Sequence, residues 1–522
     1  MILRLNNVTI PITKRQDESI LEALQEYKII PEAIDHINYL TRSIDSRSKQ
    51  MVYFIYSLEV HLKYPISITH DKIEIIEKET RKNWIKNPYK ANNVAIIGSG
   101  PAGLFAAYKL VQLGFKPHIF ERGEPIEIRK KSVNFFWTKN VFNPESNVQF
   151  GEGGAGTFSD GKLTHRMKGN PYLNEVFQLF VECGAQKEIL FDYMPHIGTD
   201  RLQVVVRNIR RKLEEHGAVF HFNSKLTDIV TMGSQIERII INNNESFDVS
   251  AVILATGHSA TDVYHLLNNK KVGMESKDFA VGLRIEHPRT LIDKMQYGRF
   301  AGHPALGAAT YKFTYNNTHD KRGVYSFCMC PGGEIVNAAS ERGHTLVNGM
   351  SLSHRNSNFS NSAIVVAVKK SDYGRNLFDG VHFQRKLEKQ INSLTQAEGT
   401  LFQNLSDFQK NCVTINEIES SFRMKLTPYN LNKLLPNFIT ENLHLAFESW
   451  KRHKYFISDT ANLFAAETRT SAPIRILRNE DGSSVSIKNL FPIGEGAGYA
   501  GGIVSSAVDG LKVVEQNFAK EV

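Results

Sequence analysis

The chain has 522 residues, 41% hydrophobic and 22% charged, with a formal net charge of +9. That length exceeds what one core normally holds, so two or three domains are expected. No apolar run is long enough to cross a bilayer, and four cysteines in so long a chain exclude a disulfide scaffold.

Residues 1–10 are too short and too polar for a secretory signal, which predicts a cytoplasmic protein with no membrane contact. Basic residues are scattered, with local clusters only near Arg210 and Lys451. This points away from nucleic acid as a partner, and the positive balance suits an anionic cofactor equally well.

Residues 2–5 and 8–12 read as strands, and residues 17–24, acidic at the start with apolar residues on one side, as a helix. Pro31 opens a second helical stretch with Ile34, Ile37 and Leu40 aligned. A polar link over 43–47 leads into a β-branched and aromatic strand from Met51. Residues 1–88 thus form a small α/β module, a candidate docking surface for a protein partner. Its charged end, over 71–90, reads as a linker or connecting helix.

The next stretch organises the chain. Val94 to Ile97 form an apolar strand, Gly98, Gly100 and Gly103 a glycine turn holding Pro101 and Ala102, residues 104–114 a helix, and residues 116–120 a strand ending in Glu121 and Arg122. Gly98 permits a tight turn, Gly100 lets amides approach a pyrophosphate, and Gly103 lets the helix pack on the strand. The helix N-terminus favours a dianionic linker, and Glu121 is placed to bind an adenosine ribose. Together these make a dinucleotide-binding unit.

Gly151, Gly153 and Gly156 repeat the spacing, but no good helix follows. Gly154, Ala155, Gly156, Thr157 and Phe158 read instead as a loop lying flat against something large, which a flavin ring would fit, with a plain surface loop as the alternative. A helix over 201–216, a strand over 218–222 and a β-meander over 229–249 lead to a buried strand ending in Ala255, Thr256 and Gly257, where a sheet would return the chain to a bound dinucleotide. Residues 276–455 are strand-rich, with helices near 383–394 and 428–450. Finally Gly494, Glu495, Gly501 and Gly502 lead into a helix from Ile503 with one apolar face. No second strand and acid follow, so this third glycine turn is not expected to be an independent NAD(P) site. The expected fold is α/β: a discontinuous Rossmann-like domain over 91–275 and 456–522, an inserted, mainly antiparallel β domain over 276–455, and the N-terminal module.

The fingerprint ending in Glu121, the return strand at Ala255–Gly257 and the Gly494-Glu495 turn resemble the glutathione-reductase-like FAD superfamily. The segments 43–47, 151–163, 328–333 and 468–473 resemble, more narrowly, the bacterial family of uncharacterised FAD-dependent dehydrogenases. The resemblance implies FAD, with Gly98, Gly100 and Gly103 at its pyrophosphate, Glu121 at its ribose and Gly154 to Phe158 lining the flavin. Glu495 stands where many members carry Asp near the ribityl chain, a departure of one methylene. Gly501, Gly502 and Ile503 would face the pyrimidine edge, where a helix dipole stabilises negative charge on the reduced ring.

Candidate groups for chemistry are Lys162 near the flavin edge, His258 as a proton donor or a cap of its turn, and Arg469 as a substrate-anion holder or an internal ion-pair partner. Cys328 and Cys330, two apart on a strand, are expected on one face, chiefly as buried small hydrophobes. Zinc would need further ligands such as His344 or His354, and no metal is expected. The leading expectation is an FAD-dependent oxidoreductase passing hydride or electrons between the flavin and a small organic substrate, with NAD(P)H as a transient reductant. The alternatives are a flavin monooxygenase and an FAD-containing RNA-modifying or electron-relay protein.

Overall fold

The computed structural model describes residues 1–68, 70, 73–76, 84–86, 93–165, 167 and 169–521. The N-terminal residues build a four-stranded antiparallel sheet in the order Ile34–Asp45, Tyr53–Leu62, Ile2–Pro11, Ile73–Ile76. Alternate side chains of Tyr53–Leu62 are buried, and Phe54, Tyr56, Leu58 and Val60 join Ile20 and Leu24 of the helix Gln16–Glu26 in one cluster. The helix expected after Pro31 is a single 3-10 turn, Pro31–Ala33, followed by the 12-residue strand Ile34–Asp45. Cross-strand pairing along nearly all of Tyr53–Leu62 outweighs the helical spacing of three apolar residues there. The linker expected over 71–90 lies for the most part outside the described residues.

A five-stranded parallel sheet forms the centre of the cofactor domain, in the order Leu490–Pro492, Ala251–Leu254, Val94–Ile97, His118–Phe120, Val219–His221. All four residues of Val94–Ile97 and of Ala251–Leu254 are buried, as expected of parallel strands covered on both faces. The helices Pro101–Gln112, Tyr172–Glu182, Thr199–Glu215 and Ile503–Phe518 share one core cluster on one side. The meander Leu226–Met232, Gln235–Ile241, Glu245–Asp248 covers the other.

The second domain is built on a seven-stranded sheet ordered Thr314–Asn317, Arg322–Cys330, Phe359–Val368, Phe279–Pro288, Asn462–Glu467, Gly399–Asn404, Lys425–Pro428. Its neighbours run antiparallel except for the last pair. Asn462–Glu467 therefore belongs to this sheet, beyond the boundary expected at 455. The N-terminal module shares a continuous hydrophobic cluster with the second domain. Arg42 also ties the module to the cofactor domain, donating to both oxygens of Asp192 at 2.7 and 3.0 Å. Among the described residues no helix is long and apolar enough to cross a membrane.

Candidate functional site

The three glycine-rich segments, far apart in sequence, meet at the carboxyl ends of the parallel strands. Gly98 has a φ of 103°, and a Cβ there would lie 2.5 Å from the Ala255 carbonyl oxygen, so the fingerprint turn and the return strand require each other's close approach. A Cβ on Gly494 would come within 2.7 Å of the Ala102 Cβ, and one on Gly154 within 3.1 Å of the Gly100 Cα. Gly156 faces the Ile503 side chain, where a Cβ would lie 3.0 Å from Cγ1.

Two helix N-termini thus point into one place, the first capped at Gly100 with Pro101 at its start, the second at Gly502. Neither cap has a side-chain hydrogen bond to its helix amides, which leaves positive dipole ends suited to a phosphate-bearing group. Beside Gly257, Gly501 and Gly502 there is open space. Thr157 Oγ1 and His258 Nε2 are buried nearby without a hydrogen-bond partner. Buried polar atoms of this kind are normally paired with protein, water or a ligand.

Glu121 is buried, and its carboxylate is a hub. One oxygen accepts from the Ser99 amide (2.9 Å) and hydroxyl (2.8 Å), the other from the amides of Gly123 (2.9 Å) and Gly151 (3.1 Å). These four donors occupy the roughly four lone-pair sites of a carboxylate, so Glu121 locks the fingerprint turn to the Gly151 loop. Arg122 lies over the Phe150 ring at 4.3 Å and pairs with Glu145 and Asp262. Arg122, Glu145 and Asp262, together with Lys225, Thr227 and Asn242, line a cavity of about 640 Å³.

The second sheet carries a buried cluster of charged side chains. Arg284 is fully buried on Phe279–Pro288 and donates to Asn361 (2.7 Å), Glu467 (2.8 Å) and the Cys328 carbonyl (2.7 Å). Burial pushes the Glu467 carboxyl up, against the pull of Arg284. Lys162 donates to the Met329 carbonyl. Asp160, just before it, is held by Arg355 and the Ser351 hydroxyl. Burial pushes Asp160 up, but Arg355 and Lys162 outweigh it and bring the carboxyl down to about 2. His258 sets its Nδ1 3.5 Å from Glu495.

Two expectations are corrected. Cys328 and Cys330 do not share a face, because the strand bulges between Phe327 and Cys330 and leaves Cys330 buried and Cys328 exposed. Arg469 is not free for a substrate anion and takes its alternative role, an internal ion pair: it donates to both oxygens of Glu388 at 2.8 and 2.7 Å and to Ser340 at 2.5 Å. The buried Glu467 is paired by Arg284, a residue not singled out from the sequence. The available signal was a single charge inside the apolar run from Phe279 to Ile285.

Residues 278–470 match the family described as FAD-dependent protein, C-terminal domain-like. Residues 96–133 match an NAD(P)-binding Rossmann-like domain, and residues 1–61 a domain of unknown function. An uncharacterized protein of Clostridium beijerinckii is 40% identical over 534 residues, covering 100% of this chain and 99% of its own length. The chain belongs to its family, one of FAD-binding flavoproteins. FAD is the cofactor, and the uncapped helix ends, the open glycine positions and the unpartnered Thr157 and His258 atoms fit it. A shorter likeness joins the flavoprotein to the glutamate synthase (NADPH) small chain of Mycobacterium tuberculosis, 39% identical over 66 residues, 12% of this chain and 14% of that one. Among solved structures, CtdE in complex with FAD is 10% identical, with 82% of each chain covered and a TM-score of 0.31.

Proposed function

We propose that the flavoprotein is an FAD-dependent oxidoreductase of the glutathione-reductase-like type, moving hydride or electrons between the flavin and a small organic substrate. The observation that carries this reading is the convergence of two glycine-led helix N-termini, from Gly100 and Gly502, at the carboxyl ends of the parallel strands. FAD supplies the electron chemistry. Gly98, Gly100 and Gly103 would hold the pyrophosphate, and the Arg122–Asp262 cavity would receive the adenosine end. The uncapped N-terminus of Ile503–Phe518 would stabilise negative charge on a reduced ring bound there. His258, oriented by Glu495, holds or releases a proton at Nε2. Water is excluded by the packed loop from Gly154 to Phe158. NAD(P)H reaches the site as a transient reductant.

The test is anaerobic. Purified protein is reconstituted with FAD, reduced with NADH, NADPH or dithionite, and mixed with a metabolite panel while flavin absorbance is followed. Reoxidation by a particular organic substrate is the expected result. A protein that neither carries FAD nor takes it up would defeat the proposal.

A further inference from the structure

Segment 43–47 does more than link two strands. Ser43 and Asp45 close the strand Ile34–Asp45, and the chain then bends through residues 46–50 against the helix Arg289–Tyr297 of the second domain. Ser43, Ser46, Arg47, Lys49 and Ile55 of the module and Gln296 of that helix line one cavity of about 400 Å³. Lys49 packs on the end of the helix, where a Cβ on Gly298 would lie 3.0 Å from the Lys49 Cβ.

Two cations cross this junction in opposite directions. Lys49 donates to the Gln296 carbonyl and, at 3.0 Å, to the Ser46 carbonyl of its own bend. Arg299, just past the helix, donates back to the Gln50 carbonyl. Among the described residues no carboxylate pairs with Lys49 or Arg299. Asp45 lines the same cavity but is already taken. Its oxygens accept from Arg47 Nε at 2.9 Å, Nη2 at 2.6 Å and the Arg47 amide at 3.1 Å. Arg47 cancels that charge and keeps Nη1 unused. Partial burial holds the Lys49 ammonium below its ordinary value, and no acid offsets the pull. Two positive charges thus share a junction with only carbonyl dipoles around them, an arrangement that repels itself and that an anion would relieve. The Ser43 and Ser46 hydroxyls have no hydrogen bond among the described residues.

We propose that this junction cavity binds a phosphate monoester carried on a small polar body of sugar size, with Arg47, Lys49 and the two serine hydroxyls on the phosphate. A phosphate offers two negative charges and several acceptor oxygens, enough for both cations and both hydroxyls. The cavity falls in the size range of small-molecule sites, about 300–1,000 Å³, which favours a metabolite over a macromolecule. Its walls come from the module and the second domain, so a bound ligand favours the contact between them. The cavity shares no residue with the glycine turns, and the proposal does not depend on the flavin reading.

The experiment uses FAD-loaded full-length protein at low salt, where screening is weakest. Ribose 5-phosphate, inorganic phosphate, citrate and ribose are titrated calorimetrically. Ribose 5-phosphate should bind with a Kd of about 1 mM or below, inorganic phosphate and citrate at least about threefold more weakly, and ribose not at all at about 10 mM. Binding of inorganic phosphate or citrate as tight as that of the ester overturns the assigned ligand class, and no binding by any probe overturns the site. Ser46→Ala removes a hydroxyl while leaving the backbone bonds of the bend in place, and should weaken the ester about threefold. Lys49→Met should weaken it at least about tenfold, with flavin content kept. Acetylation of wild-type protein, read from peptide masses, locates the site without any variant. Saturating ribose 5-phosphate should slow modification of Lys49 at least about threefold and leave the exposed Lys14 unchanged. Equal acetylation of Lys49 with and without the ester, or unchanged affinity in Ser46→Ala and Lys49→Met, overturns the proposal.

Discussion

Gly494 and Ala102, nearly four hundred positions apart in the chain, touch so closely that a methyl group on Gly494 would sit 2.7 Å from the Ala102 Cβ. The contact joins the last strand of the parallel sheet to the first glycine-led helix. It continues along the crossing of that helix with Ile503–Phe518, where a Cβ on Gly510 would lie 2.4 Å from the Ala102 carbonyl oxygen. One cofactor can therefore span two helix ends only while both glycines are kept.

Gly494→Ala tests this directly. Gly494 has a φ of 74°, so alanine adds backbone strain of about 1–3 kcal/mol to the steric conflict. The variant should purify with little flavin and bind added FAD at least about tenfold more weakly, a change of ~1.4 kcal/mol or more. Gly501→Ala is the matched control for stability, since nothing stands within 4 Å of its would-be Cβ. It should unfold at the wild-type urea concentration and still lose FAD affinity, because the open space there is the cofactor's. Unchanged FAD affinity in Gly501→Ala would move the flavin elsewhere.

Arg284 is the next test. Removing its guanidinium leaves Glu467 buried and unpaired, and also frees the Cys328 carbonyl. Breaking one partner of a buried ion pair costs about 3–5 kcal/mol. Arg284→Ala should therefore lower the urea midpoint sharply. Arg284→Lys should recover part of the loss, but not the separate bonds to Asn361 and Cys328, which need the planar fork. A midpoint unchanged in Arg284→Ala would show the pair to be dispensable.

Asp160 carries a pH signature. Its folded carboxyl, brought to about 2 by Arg355 and Lys162 against the opposing effect of burial, lies below the unfolded value of 3.8. The stabilisation is present above pH ~4 and is lost as pH falls toward ~2, on the order of 2 kcal/mol in all. Urea midpoints measured across that window should fall more steeply in wild type than in Asp160→Asn. Parallel slopes would remove Asp160 from the acid response.

Much of this architecture was readable because its signals are local. Gly98, Gly100, Gly103 and Glu121 lie within one strand–turn–helix–strand unit, so spacing alone reports their geometry, and the same holds for the meander and the C-terminal helix. The strand Ile34–Asp45 was not readable, because its partner, not its own periodicity, decides its conformation. Arg284 and Glu467 are joined across 183 positions, and no short-range pattern links them. The bulge at Cys328 depends on a one-residue mismatch with a strand over thirty residues downstream. Its two cysteines, spaced as strand neighbours, suggested a shared face that the bulge takes away.

Glu286 and His287 give the sharpest pH test, since adjacent buried groups titrate in opposite senses. Burial raises the Glu286 carboxyl to about 7 from 4.5, with Ser421 and Arg284 resisting. When the chain unfolds the group releases a proton, so its contribution is present below pH 4.5 and is lost as pH rises toward 7. Burial lowers His287 from 6.5 to about 4, against its bond to the Phe456 carbonyl at 2.7 Å. Unfolding there takes up a proton, so that contribution is present above pH 6.5 and is lost as pH falls toward 4. Between these limits the two slopes oppose one another. Glu286→Gln should leave the His287 contribution unopposed, making stability fall faster as pH drops. His287→Gln should do the reverse, making it fall faster as pH rises. Each tilt should amount to about 1–3 kcal/mol across the window. Urea midpoints taken in half-unit steps (about 0.5 pH) read both slopes, and variants that tilt in the same direction would refute the assignment of either group.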